Sequence, residues 1–468
     1  MQRERTPQRR NPAGRRRWRT PLAATLLLLV VGGCSRPATD SAVLIVVDTL
    51  RADHLGIYGY RRPTSPRLDE WARRGVVFEH AFSTSPWTLP AFGSLFTGRL
   101  PSRHLAGTFT RDDPERAPHK KNFRKLESSL PTLAEEMRRH GLATGAVISN
   151  AFLGPRFGVS RGFDTYDYHP SHQRRSRRGD AAVDLALDWL DRLAGKPFFL
   201  TLHLFDPHLG YDPPPPFRGR FSGDVPETAK PRVTDRLEIR TLLRSGEGID
   251  VDYLEALYDE EVLFVDFHLG RFLDELERRA MLDRALVVLT SDHGEEFLEH
   301  EDFEHGHSVY NELLRVPLIL WGPQLEPGRS DAPASLIDLY PTLLEAVGVE
   351  GSGGSPGRSL LTALAGKDRS SPRLLLAEST LYGPERRAAV RWPYKLTQKP
   401  WTGEVALFDL SNDFSETRNL AGERPEIARL LTAALRAVLD DVEVDAAAEE
   451  AELDTQTLES IRSLGYIQ

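Results

Sequence analysis

Apolar residues in this chain gather in short unbroken runs separated by longer stretches with helical spacing. Ala42-Val43-Leu44-Ile45-Val46-Val47 has no polar position and is rich in β-branched residues, which predicts a strand buried on both faces. Similar runs recur at Ala143–Ile148, Pro197–Leu204, Ala285–Thr290 and Val316–Trp321. Amphipathic helices are predicted between them, over Ser65–Arg74, Leu130–His140, Asp180–Leu193, Val251–Arg279 and Ser335–Val347. Strands alternating with helices predict an α/β sandwich around a mostly parallel sheet, with ligands gathered at the carboxyl ends of its strands.

The pattern changes after the Gly/Ser/Pro-rich stretch Gly351–Arg358. Short strands follow at Leu374–Glu378, Ala388–Trp392, Tyr394–Thr397 and Val405–Leu410, then a helix over Pro425–Leu439 and an acidic tail. The expected organisation is a catalytic domain over 42–350, a linker over 351–372 and a small α+β domain with antiparallel strands over 373–468. Gly210–Gly248, rich in Pro and Arg with little periodicity, reads as a long loop over the sheet edge.

Composition narrows the class. The 468 residues are 40% hydrophobic and 27% charged, which excludes a coiled coil, a collagen, a disordered acidic chain and a polytopic membrane protein. A single Cys excludes an internal disulfide framework and any multi-cysteine zinc or iron–sulfur site. The net charge of −8 is uneven: residues 1–33 carry eight Arg against Glu4 alone, so removing their +7 leaves −15 for the rest. The apolar run Leu22–Val31, ten residues broken only by Thr25, ends in Val31-Gly32-Gly33-Cys34. A basic start, a short apolar core and small residues make a secretory signal over 1–33, too short to span a bilayer of roughly 30 Å. Val-Gly-Gly-Cys resembles a bacterial lipobox, which implies lipidation at Cys34 and an exported protein held to a membrane. The acidic mature chain, without a basic-aromatic pattern, argues against nucleic acid.

Candidate chemistry stands at strand ends. Val46-Val47-Asp48 and Thr290-Ser291-Asp292-His293-Gly294-Glu295 place carboxylates and an imidazole directly after apolar runs. Such donors suit a divalent cation, whereas either Asp alone would equally serve as a helix N-cap. In Ser85-Pro86-Trp87-Thr88-Leu89-Pro90, a hydroxyl residue opens a helix that ends at Gly98, where the N-terminal field favours an ionised oxygen. His208 in Asp206-Pro207-His208, His305 and His307 are candidate proton carriers, with turn chemistry as the bland reading of the first and a solvated loop as that of the cluster His300, His305, His307. Arg174-Arg175-Ser176-Arg177-Arg178 reads as a solvated run or an anion-attracting rim, and His54 and His104 read as structural.

Taken in order, these segments resemble the sulfatases of the alkaline phosphatase superfamily. The likeness covers Asp48-Thr49-Leu50-Arg51-Ala52-Asp53-His54, Ser94-Leu95-Phe96-Thr97-Gly98, Asp206-Pro207-His208, Ser291-Asp292-His293-Gly294-Glu295, Glu312-Leu313-Leu314-Arg315-Val316-Pro317, Leu407-Phe408-Asp409-Leu410 and Leu464-Gly465-Tyr466. The resemblance implies a nucleophile at Thr88, nine residues before Thr97, and one divalent metal held by Asp48, Asp292, His293 and Thr88. It implies a contact from His208 to the scissile ester, a substrate-binding position at His307 and a shared His-Gly at His305-Gly306. Three departures bear on the chemistry. The formylglycine motif Cys-x-Pro-x-Arg is Thr88-Leu89-Pro90-Ala91-Phe92 here, and Thr is not convertible to formylglycine by that route. The Asp-Asp pair is Asp48-Thr49, and His293 stands where many sulfatases have Asn, which favours Mn or Zn over Ca.

The expected activity is hydrolysis of sulfuric or phosphoric esters, of a small molecule, glycan or lipid, through a metal-bound Thr. Phosphodiester or phosphonate-ester hydrolysis, or phosphoethanolamine-type transfer, is the first alternative. A catalytically decayed binding protein is the second. A Thr ester must be cleaved by water at phosphorus or sulfur, so a neighbouring base is required, with His208, His305 and His307 the candidates.

Overall fold

The computed structural model describes residues 39–108, 123–170, 177–223, 250–352, 354–366, 373–439 and 449–463, together with Ile239, Thr241, Leu242 and Ser245. Cys34 and the segment before it lie outside the described residues. Among the described residues no helix is long and apolar enough to cross a membrane.

Ser41–Val47 is fully buried along its length, as its unbroken apolar run predicts. Its side chains alternate between two cores. Ala42, Leu44 and Val46 pack with the helices Thr88–Thr97, Leu133–Arg139 and Leu339–Ala346 on one face. Val43, Ile45 and Val47 pack with Pro66–Ala72, Gly179–Asp191 and Val251–Arg278 on the other. The strand pairs in parallel with Phe198–Leu204 and Ala285–Ser291. Across the eight-stranded sheet the order is Gly328–Ser330, Val76–Phe78, Leu318–Trp321, Ala285–Ser291, Ser41–Val47, Phe198–Leu204, Ala143–Ile148 and Thr165–Tyr168. The last five strands of that row run parallel, while Leu318–Trp321 is antiparallel to both its neighbours. Register sets Val47 opposite both Leu204 and Ser291, so the residues that follow emerge together at one edge.

A four-stranded antiparallel sheet follows in chain order, Leu375–Ala377, Arg387–Arg391, Tyr394–Gln398 and Val405–Asp409. One face carries the helix Pro425–Leu439, whose Ala428, Leu431, Leu435 and Leu439 meet Ala389, Leu396 and Leu407. The other face, through Ala388, Val390 and Phe408, packs on Phe82, Val309 and Leu314. Residues 37–468 form one compact unit.

Two features add to the expected organisation. Within the stretch 351–372, Leu360–Leu364 is helical, and Leu360 N–H donates to Thr342 Oγ1 at 2.8 Å. Residues 449–463 reach the large sheet. Ala451 N–H donates to the Phe123 carbonyl at 2.8 Å, and the helix Thr455–Ser463 buries Ile461 in the core beneath the large sheet. The loop expected over 210–248 is irregular over 210–223, and most of its remainder lies outside the described residues.

Candidate active site

Three chain segments meet where the parallel strands end. After Ser41–Val47, Asp48 N–H continues the ladder to the Leu204 carbonyl at 2.9 Å, and Thr49 turns the chain with φ of 56°. Tyr258 of the long helix holds that turn, donating to the Thr49 carbonyl and accepting from Arg51 N–H, both at 2.9 Å. After Ala285–Ser291, Asp292 Oδ1 accepts from His293 N–H at 3.0 Å and Thr49 N–H at 3.4 Å. The third segment is the helix Thr88–Thr97, which Thr88 opens as the sequence predicts and Gly98 ends at φ of 63°. His104 braces this helix through Pro90 O at 3.0 Å and Ser94 Oγ at 3.2 Å, in keeping with a structural role. Gly93 permits that approach, since a Cβ there would lie 2.4 Å from the His104 ring. Just ahead of Thr88, Ser85 Oγ and Trp87 Nε1 both donate to the Ser379 carbonyl, at 3.1 and 2.7 Å, tying the segment to the small sheet.

The donor atoms converge on His293. Its Nδ1 faces the Gly294 carbonyl at 3.0 Å and carries the proton there, so Nε2 presents its lone pair. Nε2 lies 3.6 Å from Asp48 Oδ1, 3.4 Å from Asp292 Oδ2 and 3.4 Å from Thr88 Oγ1. All four residues are buried, and Asp48 Oδ1 and Asp292 Oδ2 have no hydrogen-bond partner among the described residues. Burial, and then the charge of Asp48, lift the Asp292 carboxyl well above its usual range. Burial also pushes Asp48 up, but the His203 side chain and the neighbouring imidazoles outweigh it and hold it at about 2. Burial lowers the affinity of the His293 ring for a second proton. Bare carboxylate oxygens facing an imidazole lone pair in a dry site fit a divalent cation.

Two residues in this site escaped the sequence reading. His203, within the strand Phe198–Leu204, sets Nε2 3.4 Å from Asp48 Oδ2, and the ligand atoms of Asp48, His203 and Asp292 lie within 4.8 Å of one another. Asn150, two residues past the strand Ala143–Ile148, donates from Nδ2 to Asp48 Oδ2 at 2.6 Å and faces Thr88 Oγ1 at 3.4 Å. His305 sets its ring centroid 4.4 Å from that of His293. Glu295 Oε1 fixes its Nδ1 at 2.9 Å, and the His208 ring lies 5.1 Å away. His307 faces a different carboxylate, Glu296, at 2.7 Å. Arg177 pairs with Asp167 and Arg178 donates to the Asp212 carbonyl, while the rest of the arginine run lies outside the described residues.

Comparison with known proteins agrees with this architecture. A sulfatase family model matches residues 41–349. Arylsulfatase K of Xenopus laevis is 25% identical over 439 residues, spanning 81% of this chain and 79% of its own. The uncharacterized sulfatase YidJ of Escherichia coli is 25% identical over 431 residues, spanning 81% and 82%. Among solved structures, a protein bound to its substrate D-glucosamine-2-N,6-O-disulfate shares the fold at a TM-score of 0.70 and 18% identity, over 88% of this chain and 99% of that one. The phosphonate monoester hydrolase of Silicibacter pomeroyi does so at 0.65 and 22% identity, over 86% and 94%. With the family model covering its whole large sheet, the chain belongs to the sulfatase family of the alkaline phosphatase superfamily, metal-dependent ester hydrolases.

Proposed function

We propose that this protein is an exported, membrane-anchored hydrolase that cleaves phosphoric, phosphonic or sulfuric esters with an unmodified Thr88 as nucleophile. The observation that carries this reading is the position of Thr88 Oγ1, at the first residue of a helix and 3.4 Å from the imidazole that also faces both buried carboxylates. The bare oxygens of Asp48 and Asp292 and Nε2 of His293 would hold one divalent cation, and the imidazole in that set favours manganese or zinc. The chemistry such a cation supplies is Lewis-acid polarisation of the ester and a lower cost of ionising the Thr88 hydroxyl.

The chain's own residues do the rest. The helix N-terminus adds a positive field at Thr88 Oγ1. Glu295 sets the tautomer of His305, placing its proton on Nδ1 and leaving Nε2 basic, while Tyr211 holds the other Glu295 oxygen at 3.1 Å. His305 is thereby the favoured proton carrier for water attack, with His208 beside it. Phosphoryl transfer asks mainly for positioning and charge stabilisation, which suits a plain hydroxyl nucleophile without a formylglycine motif. The basic start, the short apolar core and Cys34 support an enzyme outside the cytoplasm, held by lipid at its N-terminus.

The test is a panel of 4-nitrophenyl sulfate, phosphate, phosphodiester and phosphonate esters against wild type, Thr88→Ala and Thr88→Ser. Phosphodiester or phosphonate turnover should match or exceed sulfate turnover, with Thr88→Ala close to inactive and Thr88→Ser partly active. Peptide mass spectrometry should show plain Thr at position 88. Strong sulfate selectivity would overturn the phosphoester preference, and metal binding without turnover of any ester would mark a binding protein.

A further inference from the structure

We infer that Asn150 is a catalytic hydrogen-bond donor to the Thr88 oxygen, serving the breakdown of the covalent Thr88 ester. Its amide has one orientation. Oδ1 accepts from Phe152 N–H at 2.8 Å, capping the short turn Ala151–Leu153, so Nδ2 is directed to Asp48 Oδ2 at 2.6 Å and Thr88 Oγ1 at 3.4 Å. A flipped amide would set Nδ2 against the Phe152 N–H and a carbonyl oxygen against the Asp48 carboxylate. Asn150 is fully buried, so water does not compete for either N–H. One N–H occupies Asp48 Oδ2 and leaves Oδ1 as the bare oxygen facing His293. The other faces Thr88 Oγ1, and because an amide N–H only donates, its interaction strengthens as that oxygen gains charge.

The inference rests on Thr88 as nucleophile and concerns the harder half of the reaction. In the first step a bond forms from Thr88 Oγ1 to phosphorus or sulfur, the bond to the departing alcohol oxygen breaks, and the hydroxyl proton passes to a base. In the second, a water oxygen bonds to phosphorus or sulfur and the bond to Thr88 Oγ1 breaks, its electron pair going to Oγ1. One water proton ends on Oγ1 and the other leaves through the base with the released acid. A threonine alkoxide is a far poorer leaving group than 4-nitrophenolate. Charge stabilisation at Oγ1 therefore matters most in the second step.

The experiment compares wild type, Asn150→Ala, Asn150→Asp and Thr88→Ala on the best 4-nitrophenyl ester of the panel. It reads steady-state turnover, the pre-steady-state burst, intact mass after rapid acid quench, bound metal and thermal midpoint. Asn150→Asp keeps an oxygen to cap Phe152 N–H while removing the amide donor, and the thermal midpoint and bound metal separate folding from catalysis. Both Asn150 variants should keep their metal and lose roughly 10²- to 10³-fold in turnover, the scale of one lost charge-stabilising donor. Both should show a larger burst and a larger fraction of Thr88 adduct than wild type, because the second step is slowed more. An unchanged adduct fraction with turnover within about threefold of wild type would overturn the inference. Loss of metal in parallel with activity in Asn150→Asp would also overturn it, reducing Asn150 to a support for Asp48. An active Thr88→Ala would overturn the nucleophile assignment and this inference with it.

Discussion

Gly294, between His293 and Glu295, has the least room of the described glycines. A Cβ there would lie 1.9 Å from the Glu312 carbonyl oxygen, and Gly294 N–H is already bonded to Leu313 O at 2.9 Å. Backbone cannot yield as a side-chain tip can, so Gly294→Ala must displace the turn that carries His293. It should cost about 1–3 kcal/mol, read in urea midpoints, and weaken metal binding in the same preparation. Asp292 makes the complementary case. One of its oxygens is spent on backbone N–H groups and the other is bare. Asp292→Ala should therefore lose bound metal, read by elemental analysis, and at least about two orders of magnitude in rate. Full metal occupancy with full activity in that variant would show that the cation sits elsewhere.

Five strands of the large sheet and the helices that cover it were legible because each carries its period in its own residues, whereas Val76–Phe78, Thr165–Tyr168 and Gly328–Ser330 are too short to show one. Ser41–Val47 and Val251–Arg278 fall within a residue of the spans their apolar spacing predicts. Asp48, Asp292, His293 and Thr88 were legible by position, at the ends of such runs or at a helix start. Asn150 follows its strand by two residues where Asp48 follows directly, and its uncharged amide carries none of the charge that marks Asp48 at a strand end. His203 sits inside an apolar strand, where a buried histidine was itself the signal. The Leu360–Leu364 helix is too short for a period, and the return of residues 449–463 to the large sheet has no local signature at all. A buried carboxylate between elements gives a further test. Asp266 on the long helix accepts from Arg67 N–H at 3.0 Å and Leu68 N–H at 2.7 Å, capping the helix Pro66–Ala72. Burial lifts its carboxyl from 3.8 to about 7, with those N–H groups and Arg67 opposing and Asp69 reinforcing the rise. The folded state then binds this proton more tightly than the unfolded state. Its contribution to stability is greatest below about pH 4, declines as pH rises towards 7 and levels off above that. Asp266→Asn should flatten that decline in urea midpoints measured from pH 4 to 8. An undiminished slope would place the proton on another group.

At the scale of the whole molecule, the compact unit of residues 37–468 follows the segment for which we propose export and lipidation. Cys34→Ala should release the protein from membranes or block its processing, read by membrane fractionation and mature mass. Unchanged fractionation and unchanged mass would reject the anchor. Within the unit, the Ser379 carbonyl accepts from both Ser85 and Trp87, three residues and one residue ahead of Thr88. Ser379 itself stands with φ of 69°, a conformation that its own loop must hold. The same loop grips the histidine segment, since Leu381 and Tyr382 N–H both donate to the Gly306 carbonyl, at 2.7 and 2.9 Å. Residues more than 200 positions apart in the chain thus answer to one short loop. In the history of such a protein, recombination that exchanged the C-terminal sheet alone would separate partners that had been selected together. A functional chimera has to inherit the Ser85–Trp87 stretch, the Gly306 turn and the Ser379–Tyr382 loop from the same parent.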